Sequence, residues 1–373
     1  MLPIAMLTGA SIYLIYHILP EPVHHLGPFL SDALGLIQPL LIFSMLFLTF
    51  CTIEPKDLKP HRWHWWLLLV QGGVFAVLAL IALAVMKLFP ERSGDLVVLI
   101  ESAMLCFICP TATAAAVVTR KLGGDVPGIT TYIVLINILT ALLVPVVIPL
   151  IVPEGSLGFW VSFGMIVAKV FPLLITPCLC AWLIRYLAPK LHRKLLSYPD
   201  LAFYLWSVAL TLAIAVTTKS IVHSTMSVGL ILAMSLVSLI CCAIQFALGR
   251  HIGASYRPRL RNLPVAHAPV LPVTGATAFA AHTQAAASHL QVASHPHAAA
   301  SHPQVASHPH AATIEKGRAV RKVTAGQSLG QKNTVFAIWL AYTFLTPETA
   351  IVGGLYSIWH NIYNSWQLRH QAK

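Results

Sequence analysis

The sequence predicts an all-α, polytopic membrane protein with ten transmembrane helices. Three observations lead to this fold class. Hydrophobic residues make up 57% of the chain and charged residues only 10%, whereas soluble domains carry roughly 25% charged residues. Apolar stretches close to the ~20 residues needed to cross a bilayer recur along the chain. Basic residues are concentrated in alternate connections between these stretches, as membrane topology requires.

Ten apolar segments are assigned as membrane spans. The first lacks the basic start and the small-residue cleavage site of a signal peptide, so we expect it to remain as a helix. The spans cover residues 2–19, 30–53, 64–88, 96–120, 126–151, 158–186, 200–222, 226–250, 324–345 and 348–366.

The distribution of charge predicts the orientation. Of the 24 lysines and arginines, 19 fall in the even-to-odd connections or the C-terminal tail. The opposite connections carry mainly the acidic residues Glu21, Glu91, Asp95, Glu154 and Glu348. The positive-inside rule therefore places both termini in the cytoplasm, and we expect a bacterial inner membrane. Because the net charge of +12 is spread over short loops beside the membrane, anionic lipid explains it and no nucleic-acid or obligate protein partner is expected.

Residues 262–313 differ in composition from the rest of the chain. They are rich in Ala, His, Pro and Ser, and residues 287–299 are repeated almost unchanged in residues 300–312. Without apolar periodicity, such a segment is predicted to be a disordered cytoplasmic insert, so that 1–261 and 314–373 form the membrane body. Its eight histidines would permit metal buffering, but a repeat expansion in a tolerant loop is favoured, because no Cys, Asp or Glu accompanies them.

The spans divide into two halves of five, in residues 1–155 and 156–373. Because five is odd, the second half enters the membrane in the opposite sense, which predicts two inverted repeats with a site at their interface. The fourth span of each half is interrupted, by Pro110 in the first and by a polar run with Gly326 and Gly330 in the second. Freed backbone groups are costly within a membrane unless they line a cavity or site. The paired interruptions therefore predict two broken helices at the functional site.

The candidate site residues lie beside these interruptions. Lys332, the charged residue of the ninth-span run, lies between Gln331 and Asn333, and a charge at this depth indicates function. Thr111 and Thr113 begin a half-helix whose positive dipole end would favour an anionic group.

Two further residues carry polarity into the membrane, and the cysteines form a separate set. Asn361 belongs to a polar face of the tenth span, which is typical of a helix that lines a cavity. Glu101 lies roughly 12 Å along the helix before Cys109 and is expected to line an outer vestibule or to pair with a cation. The seven cysteines fall in or beside apolar spans, without paired loop spacings, and are predicted to be packing residues rather than disulfides or metal ligands.

These motifs resemble those of the bile acid:sodium symporter family, taken broadly, over nearly the whole chain outside the insert. The family's fourth helix carries Cys-Pro-Gly-Gly-Thr-Ala-Ser-Asn, and residues 109–116 read Cys-Pro-Thr-Ala-Thr-Ala-Ala-Ala. Its ninth helix carries Glu-Thr-Gly-x-Gln-Asn, and residues 328–333 read Ser-Leu-Gly-Gln-Lys-Asn. The resemblance implies a core domain of spans 3, 4, 5, 8, 9 and 10, a panel domain of spans 1, 2, 6 and 7, and crossed broken helices 4 and 9.

The sodium ligands implied by the resemblance are largely missing. The glutamate of the ninth-helix motif is replaced by Ser328, and the Ser-Asn pair after the fourth-helix break by Ala115 and Ala116. Gln71 matches the third-helix glutamine of the second sodium site, but the ninth-helix glutamine of that site is replaced by Lys332. Because hard cations need several oxygen ligands, we predict no resident cofactor or metal. Our hypothesis is that the Lys332 ammonium replaces a bound sodium ion, which makes transport sodium-independent and open to proton coupling.

The predicted function is secondary-active transport, by alternating access, of a small anionic organic solute across the lipid bilayer. Cys109, Pro110 and Gly330 are assigned to the breaks themselves. Enzyme signatures are absent, with no Ser-His-Asp order, His-Glu-x-x-His or phosphate loop. Three alternatives stay open: a non-transporting membrane sensor, an efflux carrier like the arsenite exporters, which also use a fourth-helix cysteine, and a Lys332 that only braces the crossing.

Overall fold

The computed structural model describes six stretches of the chain. They are residues 2–19, 27–90, 93–151, 158–198, 201–256 and 309–371. The chain divides into two units, one joining Met1–Tyr256 to Lys316–Lys373 and the other comprising Arg257–Glu315. The predicted insert therefore lies outside the described residues, apart from residues 309–313.

Regular structure in the described residues is helical, and fourteen α-helices are numbered here in chain order. The first seven are α1 Leu2–Ile18, α2 Gly27–Cys51, α3 Arg62–Leu88, α4 Ser93–Ile108, α5 Ala114–Lys121, α6 Val126–Ile151 and α7 Phe159–Leu174. The others are α8 Thr176–Leu187, α9 Pro189–Leu196, α10 Leu201–Val222, α11 Val228–Ser255, α12 Pro309–Gly330, α13 Thr334–Phe344 and α14 Pro347–Gln371.

Six helical segments of the described residues are long and apolar enough to cross a membrane. They are Asp32–Cys51, Arg62–Leu88, Val126–Ile151, Phe159–Leu187, Tyr204–Val222 and Val228–Ser255. The helices Ile4–Ile18 and Thr334–Phe344 are apolar but shorter. The predicted fourth, ninth and tenth spans fall on α4–α5, α12–α13 and α14. The fold is therefore that of an all-α polytopic membrane protein, whereas the count of ten crossings stays a prediction.

Helix contacts occur within each of two groups and also between them, since α10 packs on α13 and α14, and α2 packs on α13. In one group, α1 packs on α10, and α2 packs on α8 and α10. In the other, α4 packs on α3, α11 and α14, while α6 packs on α3 and α13 on α14. The first group holds helices predicted for the panel domain, and the second holds those predicted for the core domain.

The helix of the ninth predicted span begins earlier than expected. We predicted a start at residue 324, but α12 begins at Pro309 and so includes the last five residues assigned to the insert. The basic residues Arg318, Arg321 and Lys322 consequently lie on a helix and not in a loop. The reason is local. Ala, Lys and Arg are strong helix formers, but the start of the span was assigned from a run of apolar residues, and such a run does not include this charged segment.

Of the two ninth-span glycines, Gly326 does not break the helix, whereas Gly330 is the last residue before the break. Helix α12 continues through Gly326 and ends with Gly330. A Cβ atom on Gly330 would lie 2.4 Å from Cγ of Phe246, and one on Gly326 would lie 2.6 Å from Cγ of Arg250. Both glycines therefore serve the close approach of α12 to α11, as small residues do at helix crossings in membranes.

Candidate functional site

The fourth-span break follows from proline chemistry. Pro110 has no N–H to donate and disfavours the helical conformation in Cys109 before it, so α4 ends at Ile108 and the chain becomes helical again at Ala114. The ninth-span break comprises residues 331–333. There Asn333 caps α13, its side chain accepting a hydrogen bond from the Phe336 N–H at 3.2 Å.

The two breaks meet as a short antiparallel bridge between Thr111 and Lys332. The Ala112 N–H donates to the Gln331 carbonyl at 2.9 Å, and the Asn333 N–H donates to the Pro110 carbonyl at 2.8 Å. Backbone groups freed by one break therefore satisfy those freed by the other, which is the condition for irregular backbone at membrane depth.

Five successive carbonyls at the end of α4 each accept a hydrogen bond from another part of the fold. The donors are Gln245 Nε2 to Cys106 at 3.2 Å, Lys332 Nζ to Phe107 at 3.4 Å, Thr140 Oγ1 to Ile108 at 3.0 Å, Gln71 Nε2 to Cys109 at 2.9 Å and the Asn333 N–H to Pro110 at 2.8 Å. They lie on α11, α6 and α3 and in the ninth-span break. A buried carbonyl without a partner is costly, so these contacts stabilise the interruption.

The carbonyls at the end of α12 are satisfied in the same way. Thr111 Oγ1 donates to the Ser328 carbonyl at 2.5 Å, and the Tyr356 hydroxyl donates to the Gly330 carbonyl at 2.8 Å. The Cys109 thiol donates to the Asn333 carbonyl at 2.8 Å. The Thr111 hydroxyl and the Cys109 thiol therefore hold the crossing together in this structure.

Lys332 is buried at the centre of the crossing, with 1% of its surface exposed. Among the described residues, its ammonium donates only to the Phe107 carbonyl. No carboxylate of the described residues lies within 4.0 Å of it, since the ion pairs within that distance are those of Glu54 with Lys56 and Arg185. A cavity of about 10 Å³ lined by Cys109, Tyr356 and Lys332 adjoins it, roughly the space of one water molecule. Burying an ammonium without a carboxylate destabilises a fold, so packing alone does not explain this residue.

Several of the buried polar atoms without a protein partner in the described residues lie along α12, in the ninth-span break and along α14, while others are scattered over the remaining helices. Both amide atoms of Gln331, the Ser328 hydroxyl and both ring nitrogens of His360 belong to this set. His360 lies one helical turn from Tyr356, which contacts Gly330, and one turn from Asn364, whose side chain accepts from Gln327 at 3.0 Å. Because buried polar groups are almost always hydrogen-bonded, this surface can receive a polar solute, an ion or water.

The remaining predicted site residues take separate positions. Gln71 is fully engaged, since its Oε1 accepts from the Tyr132 hydroxyl at 2.9 Å while its Nε2 binds the Cys109 carbonyl. Glu101 is buried and accepts from Thr349 Oγ1 at 3.0 Å. Asn361 contacts Ser357 Oγ at 3.4 Å and Met6 Sδ, on α1, at 3.9 Å.

Thr113 lines a cavity of about 200 Å³ between α5, α6, α2 and the segment around α9. Thr49, Thr52 and Thr130 add hydroxyl groups to its wall, and Arg120 is its one charged lining residue. The cavity adjoins the half-helix that follows the fourth-span break. It offers the Arg120 guanidinium, a group that recognises a carboxylate or sulfonate, whereas the Thr49, Thr52 and Thr130 hydroxyls donate to backbone carbonyls.

Sequence reasoning did not identify Thr140, Tyr132 and Tyr356, which complete the crossing. A threonine hydroxyl in a helix usually bonds to its own backbone, so Thr140 carries no distinguishing signal. Gln245, which donates to the Cys106 carbonyl, does carry a sequence signal, because an amide inside an apolar span stands out.

One comparison with known proteins links the chain to others. The model of the sodium bile acid symporter family matches residues 39–240. The matched range includes the fourth-span break but ends before Lys332. A search of curated proteins found no match.

Proposed function

The chain belongs to the sodium bile acid symporter family, and we propose that it is a secondary-active carrier of a small anionic organic solute. In this proposal ten spans form two inverted repeats, and the core domain moves against the panel domain. Both termini lie in the cytoplasm, and the membrane is a bacterial inner membrane. The packing of α1 on α10 and of α2 on α8 and α10 within the predicted panel supports such a division, and the contacts of α10 with α13 and α14 lie where the two domains would move against each other.

The central element of the proposal is Lys332 as a built-in cation. The carbonyls at the broken helix ends provide negative potential of the kind that holds a cation in carriers, and the ammonium donates to one of them, that of Phe107. Ser328 and Ala115 stand at positions where the family resemblance implies sodium ligands, and neither supplies a carboxylate. Because a tethered ammonium takes the place of the sodium ion, transport does not require sodium. Gain and loss of a proton at Lys332 would couple transport of the solute to a proton gradient.

The anionic character of the solute rests on the cavity at the half-helix. Arg120 supplies a positive charge, and Thr113 adds a hydroxyl to the same wall. A neutral or cationic solute would leave the arginine without a partner in the cavity, whereas an organic anion would be matched by it.

Reconstitution tests the proposal in two steps. A thermal-shift screen of detergent-purified protein against bile-acid conjugates and short organic acids selects a ligand, because a compound that binds only the folded state raises the melting temperature. Uptake of that ligand into liposomes is then compared under an inward sodium gradient and an equal choline gradient. Equal rates are expected, and clear acceleration by sodium would contradict the role given to Lys332.

The arsenite-exporter alternative gains no support from the site. The Cys109 thiol is engaged by the Asn333 carbonyl, and no group of three His, Cys, Asp or Glu side chains in the described residues is arranged to hold a metal ion. Its test is direct: if Cys109→Ala left arsenite resistance unaltered in cells that depend on this protein, the alternative would be dismissed.

A further inference from the structure

A second cavity, away from the crossing, opens as a groove of about 800 Å³ between α11, α12 and α14. On α11 its lining extends from Leu239 to Ala254, which is about 22 Å along the helix axis. One end of the groove is apolar and the other is basic, so the groove is amphipathic along its length.

The basic end combines residues of two helices. Arg250 and His251 of α11 line the groove together with Arg318 and Lys322 of α12, and the lining contains no Asp or Glu. The helices come close at Gly249, where a Cβ would lie 2.4 Å from the Ala325 carbonyl oxygen. This contact places the two basic pairs around one space.

The apolar end is formed largely by aromatic rings of α14. The Tyr363 ring lies 4.3 Å from that of Phe246 and 5.8 Å from that of Trp366, measured between centroids. Trp366 and Ile362 stay about half exposed, at 52% and 56%. Tryptophan and tyrosine next to basic residues are typical of the level where acyl chains meet headgroups.

We propose that this groove binds an anionic phospholipid of the surrounding bilayer. The phosphate and its headgroup contact Arg250, Arg318 and Lys322, and an acyl chain lies along the exposed side chains of Leu239 and Ile362. An acidic peptide would leave the apolar part unused, and a zwitterionic lipid would bring its own cation against the basic cluster. The inference needs a membrane-embedded chain but does not rest on transport or on Lys332, so either proposal can fail without the other.

Thermal shift of the full-length protein in detergent provides the test. The melting temperature is measured with phosphatidylglycerol, with phosphatidylcholine of the same chains and with inorganic phosphate. Phosphatidylglycerol is expected to raise it well above the other two. In R318Q/K322Q, the phosphatidylglycerol concentration that gives half of the full rise in melting temperature should be at least about tenfold higher than in wild type. R193Q/K194Q, the same change of charge on the exposed face of α9, should match wild type.

Native mass spectrometry gives a readout that does not depend on melting. Wild type should retain phosphatidylglycerol after detergent exchange, and the groove variant should lose it while the α9 variant keeps it. If the double variant does not fold, R318Q replaces it, because Arg318 is exposed. Equal stabilisation by the two lipids, full stabilisation by phosphate alone, or equal loss of lipid in the groove and α9 variants would overturn the proposal.

Discussion

At the scale of single residues, Lys332 is unusual because its ammonium is buried against one carbonyl and lacks a carboxylate. If it only braced the crossing, its removal would destabilise the fold, since the Phe107 carbonyl would lose its donor. If it acts as the built-in cation, its removal relieves a desolvated charge and abolishes function. Stability and transport therefore respond differently under the two explanations.

We predict that Lys332→Met keeps or raises the melting temperature in detergent, because methionine fills similar space without a buried charge. Uptake should fall by at least about tenfold, equivalent to about 1.4 kcal/mol. Lys219→Met, a lysine in the last turn of α10, is the control and should transport normally. A clear drop in melting temperature with retained uptake would favour the bracing role.

Thr140 provides a second test at this scale. Thr140→Val removes the donor to the Ile108 carbonyl and leaves a buried acceptor unpaired, which should lower the unfolding free energy by about 1–3 kcal/mol. Thr218→Val is the matched control, because that hydroxyl bonds to Ile214 of its own helix. Denaturant titration should show a lower unfolding free energy for Thr140→Val and an unchanged one for Thr218→Val. Equal decreases in both variants would contradict the role of Thr140 as the donor to the freed Ile108 carbonyl.

At the scale of elements, the close approach of α11 and α12 depends on glycine. In Gly330→Ala the new methyl group would meet the Phe246 ring, and such overpacking should lower the unfolding free energy by about 1–3 kcal/mol. Gly73→Ala, in α3 where a Cβ meets open space, should be neutral or slightly stabilising. Restored stability in Gly330→Ala/Phe246→Leu would confirm the contact, and a neutral Gly330→Ala would refute it.

The elements also mark the limit of prediction from sequence. The break at Pro110 was predictable because a missing N–H is a property of one residue. Gly330 does end α12, but Gly326 lies inside that helix and was misassigned, because a glycine at a helix crossing and a glycine at a helix end look alike in sequence. The pairing of donors with the freed carbonyls was out of reach, because Thr140 and Gln71 are brought to these carbonyls only by the packing of distant helices.

At the scale of the whole molecule, the hydrogen bonds described at the crossing come from residues that lie outside 262–308. We predict that replacing 262–308 with a Gly/Ser linker of equal length leaves uptake and melting temperature unchanged, because such a linker is long and flexible enough to join α11 to α12. A sensor with the histidine-rich segment as its output would instead lose signalling and show no uptake before or after the change.

The central claim is that Lys332 stands in for a bound sodium ion, and sodium-specific stabilisation tests it without knowledge of the solute. The melting temperature of the purified protein is measured in sodium chloride and in choline chloride at equal ionic strength, since an ion that binds only the folded state raises it. The account predicts the same value in both salts. A higher melting temperature in sodium would contradict it.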